Sequence, residues 1–69
     1  MKLEELESFK AYLDRFGIQH RPGKGTWEVL QVMSPAGDGW RIIHKNKHNR
    51  LTVADSLYDL VDRFNEYNK

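Results

Sequence analysis

The sequence predicts an α+β fold. It reads as a single small α-β-β-β-α domain over residues 1–69, a three-stranded antiparallel sheet with N- and C-terminal helices packed on it. Three observations predict this. Apolar residues recur at steps of three and four in the first and last parts of the chain, the spacing of one helical stripe. Between them, Thr26 to Val53 holds three short strand-like runs, two of them rich in β-branched and aromatic residues. Clusters of Gly, Pro, Asn and Ser separate those runs and mark turns.

Leu3, Leu6, Phe9, Leu13 and Phe16 form the first stripe, which assigns both Phe9 and Phe16 to the core. Glu4, Glu5 and Glu7 occupy the first turns, where the helix dipole favours negative charge. Gly17 is placed to end the helix as a left-handed cap, with Ile18 set to touch Leu13. The result is a helix of roughly four turns.

His20-Arg21-Pro22-Gly23-Lys24-Gly25 then reads as a basic loop. It is not a phosphate-binding P-loop: Ile18 stands where the first glycine belongs, Gly25 follows Lys24 in place of Ser or Thr, and no strand precedes it. Strands are expected at Trp27–Met33 and Trp40–Lys45, with a third, short one at Arg50–Thr52 and a hairpin loop over Ser34–Gly39. Alternation puts Trp27, Val29, Gln31 and Met33 on one face and Glu28, Leu30 and Val32 on the other. Both faces carry apolar side chains, so helices covering one leave the other exposed. One register sets Leu30 opposite Ile43 and Glu28 opposite Lys45; a shift of one residue fits equally, and which tryptophan is buried stays open.

Thr52-Val53-Ala54-Asp55 reads as a helix start, with Thr52 as N-cap. Val53, Leu57, Leu60, Val61, Phe64 and Tyr67 form its apolar stripe, while Asp55, Asp59, Asp62 and Glu66 form an acidic line opposite. That line is the solvated side of an amphipathic helix or a docking face; it offers no cleft to separate carboxylate pKa values for acid–base work.

Composition narrows the function classes. A chain of 69 residues leaves no room for a deep pocket beside its core. The absence of cysteine excludes disulfides, thiolate metal sites and cysteine nucleophiles, and fits a cytoplasmic setting. The acidic, amphipathic N-terminus is not a signal peptide, and no run is long enough to span a membrane. His44 and His48 are four apart on strand and turn, not on a helix, and no carboxylate lies in that segment, so neither metal nor cofactor is expected. With no nucleophile–base pair either, the chain is not expected to be an enzyme.

Charge is segregated: residues 1–16 carry net −1, residues 17–53 net +4 and residues 54–69 net −2. In His44-Lys45-Asn46-Lys47-His48-Asn49-Arg50, five of the seven residues can carry positive charge. The segment is either a solvated turn built by Asn or a surface for phosphates or an acidic partner. The candidate binding residues are Arg21, Lys24, Arg41, Lys45, Lys47 and Arg50, with Trp27 and Trp40 as candidate exposed aromatics.

In the order helix, three strands, helix, the chain resembles the double-stranded-RNA-binding domain. It carries Thr52-Val53-Ala54-Asp55 where that family begins its second helix with a lysine cluster, and Ser34-Pro35-Ala36-Gly37 in place of the family's Gly-Pro-x-His loop. Its compactness, its lack of cysteine, Arg21-Pro22-Gly23-Lys24-Gly25 leading into Trp27-Glu28-Val29-Leu30, and the terminal Leu57-Tyr58-Asp59-Leu60-Val61 also resemble small orphan proteins of bacteriophage and prophage early regions. That resemblance implies a host-directed binding protein. The leading expectation is therefore a protein–protein module, an inhibitor or a homodimer, because net charge of +1 is low for a dedicated nucleic-acid binder. Nucleic-acid binding through the basic loops is the alternative.

Overall fold

A computed structural model describes residues 1–69, with two helices lying on one face of an antiparallel sheet of four strands. A 3-10 turn, Leu3–Glu5, leads into α1 (Leu6–Arg15); then follow β1 (His20–Pro22), β2 (Glu28–Met33), β3 (Trp40–Lys45) and β4 (Leu51–Thr52). A second 3-10 turn, Asp55–Leu57, leads into α2 (Tyr58–Tyr67). The strands lie side by side in chain order, β1-β2-β3-β4.

The expected cap is present. Gly17 sits at φ 70°, Ile18 N–H donates to the Leu13 carbonyl (2.9 Å) and Gly17 N–H to that of Asp14 (3.3 Å). This pair of bonds closes the helix end and turns Ile18 onto the core. Phe16 differs from expectation: it is the C-cap residue just beyond α1, 53% exposed, with its ring against Tyr12 and Tyr67 and not in the core.

The strand count also differs, four where three are expected. The additional strand is β1, in the stretch that reads as a loop. It pairs His20 with Val32, Arg21 with Gln31 and Pro22 with Leu30. Pro22 is tolerated because it ends an edge strand, where no inner ladder needs its missing N–H. Gly23 follows so close to β2 that a Cβ there would lie 1.7 Å from the Glu28 carbonyl oxygen. Only a residue without a side chain fits that approach.

Leu30 does face Ile43, but Glu28 faces His44 and not Lys45, because the register shifts between Glu28 and Leu30. The bulge at Val29 places Glu28 on the same face as Gln31. Thr52 is not a helix cap. It belongs to β4 opposite His44, and the next helical turn begins after Ala54. Sheet pairing has overridden a local capping signal.

Phe9, Tyr12 and Leu13 of α1, Leu30, Val32, Ile43 and Leu51 of the sheet, and Leu57, Leu60 and Phe64 form one core. The helix contact is aromatic: Phe9 meets Phe64 edge-on with ring centroids 5.1 Å apart, and Tyr12 meets both Phe64 (5.6 Å) and Tyr67 (5.3 Å). The other sheet face, carrying Arg21, Gln31, Met33, Trp40 and Ile42, has no helix on it.

Candidate functional site

Strand direction decides which loops share an end. β1 and β3 run the same way, so the β1–β2 loop (residues 23–27) and the β3–β4 turn (residues 46–50) leave the sheet at the same end. Lys24, Trp27, Lys45, Lys47 and Arg50 are thereby gathered at this end. The N-terminal segment joins them: Lys2 bridges Arg50, Leu3 N–H donates to the Asn49 carbonyl (2.8 Å) and Leu51 N–H to that of Met1 (2.9 Å). Lys2 is a cation that sequence reading did not place here, since helical spacing gives no hint of pairing with residue 50.

The turn is held by one side chain. Asn46 Oδ1 accepts from the backbone N–H groups of His48 (2.8 Å) and Arg50 (3.1 Å), and Asn49 takes up the left-handed conformation at φ 59°. Asn does both readily, as a local hydrogen-bonding side chain and as a residue tolerant of that conformation. Lys47 and His48 consequently project into solvent. Between this turn and the N-terminal segment lies an open depression of about 390 Å³, lined by Lys2, Leu3, Glu4, His48, Asn49 and Arg50.

The charges at this end are not neutralised by ion pairs. Lys10, Arg41, Arg63 and Lys69 each pair with a carboxylate, and His20 meets Asp14 at 2.7 Å, but Lys2, Lys24, Lys45, Lys47 and Arg50 pair with none. Trp27 is 55% exposed, with the Lys45 ammonium 5.9 Å from its ring centroid. Trp27 is thus the exposed indole, and Trp40 is the partly buried one.

Two expected members lie elsewhere. Arg41 stands opposite Val32, on the helix-covered face, and at the other end of the sheet. It pairs with Asp38 at 3.0 Å and donates to Ser56 Oγ at 3.2 Å, so it ties β3 to the start of the second helical segment. Arg21 lies on the uncovered face, its guanidinium carbon 4.1 Å from the Trp40 ring centroid. Arg21 Nε donates to Gln31 Oε1, and Gln31 Nε2 donates to Glu28 Oε2 at 2.9 Å. Arg21 reaching over β2 explains why Gln31, on an otherwise open face, is only 3% exposed. A glutamine inside an apolar strand run was the available signal for this network.

Glu28 also accepts the Lys24 backbone N–H. The Gln31 hydrogen bond and then the Lys24 N–H hold its carboxyl below the usual 4.5; desolvation opposes them, and the charges of Lys24 and His44 add smaller effects in the lowering direction. A lowered native value means that the stabilisation is present above the ordinary glutamate range and lost as pH falls through the lowered one. Below about pH 4.5, the melting temperature is therefore expected to fall more steeply for the native chain than for Glu28→Gln. Parallel acid-range melts would refute this link.

No three His, Asp or Glu side chains converge to hold a metal ion, and no helix is long and apolar enough to cross a membrane. The chain matches no protein-family model, and neither curated proteins nor solved structures yield a significant match.

Proposed function

We propose that this protein is a non-enzymatic binding module for single-stranded nucleic acid, engaged by the basic end of the sheet. The observation that carries this reading is the gathering of five unpaired cations, Lys2, Lys24, Lys45, Lys47 and Arg50, around the exposed Trp27. Clustered cations neutralise phosphates, and an exposed indole offers a face on which an unstacked base can lie. A single strand suits the site better than a duplex, whose bases are already stacked on one another. Segregation answers the low net charge: the five cations of this end outnumber its carboxylates Glu4, Glu5 and Glu28, and the acidic residues of α2 lie on another element.

A second reading is favoured by the uncovered sheet face, where Ile42 is exposed and Met33 and Trp40 are half-buried. It is a protein–protein module, either a homodimer or a host-directed inhibitor of phage type. Addition of a partner strand at a sheet edge is the weaker form of it. The edges are β1, three residues ending in Pro22, and β4, two residues.

Fluorescence anisotropy of labelled oligonucleotides at low and physiological salt separates the readings. The nucleic-acid reading expects micromolar affinity at low salt, falling with a log–log slope of about −0.7 per phosphate contacted. Absence of binding at low salt would retire it and leave the sheet face as the site.

A further inference from the structure

The uncovered sheet face holds an arginine whose orientation is fixed by its neighbours. Arg21 is stacked on Trp40, its Nε is committed to Gln31, and Gln31 is in turn committed to Glu28. The Gln31 side chain is almost wholly buried, and both ends of its amide serve this chain of bonds. The two terminal nitrogens of Arg21 make no hydrogen bond within the protein, and no carboxylate pairs with it. A guanidinium held in one plane, with its far edge free, loses little freedom when it grips a phosphate.

We propose that Arg21 on Trp40 is a second phosphate subsite for the same single strand, which passes from the basic end by way of Lys24 onto the uncovered sheet face. This rests on the nucleic-acid reading above. Gln31 is the positioning residue and Arg21 the contact. The path is short: Arg21 lies in β1 only three residues before Lys24, one of the cations of the basic end. No helix covers this face; Glu28, which the bulge turns onto it, has its carboxylate engaged by the Gln31 amide and the Lys24 N–H. The occupant follows from charge, since the positive group that is unpaired here calls for an anion.

The test uses oligothymidylates from about two to about twelve nucleotides long, a range that spans the site sizes of small single-strand binders. In Trp27→Phe protein the one remaining indole is Trp40. Long oligomers are expected to quench its fluorescence and the shortest are not. In the otherwise native chain, Arg21→Ala is expected to weaken the long oligomers about tenfold and leave the shortest unchanged. Gln31→Met, checked for fold by circular dichroism, is expected to reproduce part of that loss, which a charge needing no orientation would not suffer. Arg21→Lys is expected not to restore full affinity. Long oligomers that bind Arg21→Ala as tightly as the native chain would overturn the subsite while leaving the basic end standing. If no length binds at low salt, the basic end falls and the subsite with it. If an acidic peptide quenches Trp40 and oligothymidylates do not, the subsite is overturned in favour of a protein partner.

Discussion

Replacing Lys45, Lys47 and Arg50 together by Glu is expected to abolish oligonucleotide binding at every salt concentration. The change turns three attractive charges at one end of the sheet into three repulsive ones, on residues that no internal ion pair requires. The milder triple change to Ala is expected to leave weak binding and to reduce the salt slope by about 2, from the 0.7 per contact of single strands. The fold is expected to survive, because Lys47 and Arg50 are exposed and the turn is held by Asn46. Anisotropy titrations at two or more salt concentrations read the slope, and circular dichroism checks the fold. Unchanged affinity in the folded Glu variant would show that the cations of this end are solvated surface and nothing more.

Phe64→Ala is expected to unfold the protein or nearly so. Phe64 is 1% exposed and packs against both Phe9 and Tyr12, so it is the ring that joins the two helices. Truncating a buried Phe costs about 3–5 kcal/mol, from lost transfer energy and the cavity left behind. A domain of this size has a total stability of about the same magnitude. Tyr58→Ala, at a ring 55% exposed on the same helix, is expected to change stability by no more than about 0.5 kcal/mol. Urea titrations of the two variants give the comparison. A cooperative Phe64→Ala transition close to that of the native chain would mean that the helix pair does not hold the core together.

The α+β class, the two helices and the central hairpin were legible because each is written in its own residues. The Leu13–Gly17–Ile18 cap needs nothing outside itself, and Leu30 and Ile43 sit within the two apolar runs that must pair. Elements stabilised by distant partners were not legible. His20–Pro22 has three residues, two of them polar, so it shows no period, and it becomes a strand only because β2 has an open edge beside it. Thr52 carries a capping signal, but His44 claims it for the sheet.

The candidate site divides in the same way. The basic character of residues 21–50 is a matter of composition and was visible. Its separation into groups depends on strand direction and on which face each residue takes. Arg41 and Arg21 are similar in sequence context, yet Arg41 is opposite Val32 and ties to Asp38, whereas Arg21 is opposite Gln31 and lies on Trp40. Because both faces of β2 carry apolar residues, alternation alone could not assign either arginine. The shift at Val29 then undoes simple alternation for Glu28.

The order β1-β2-β3-β4 has a kinetic consequence. Every neighbouring pair of strands is joined by a short connection, so the sheet can grow by successive local closures, each costing little chain entropy. The contacts of Phe9 and Tyr12 with Phe64 and Tyr67 instead bring opposite ends of the chain together. They are expected to form last, after the rate-limiting barrier has been crossed. The mild Phe64→Leu variant should therefore unfold faster than the native chain and refold at nearly the same rate. Stopped-flow measurements over a range of urea would show this as a shift in the unfolding arm alone. A shift confined to the refolding arm would instead place the pairing of the two helices at the start of folding.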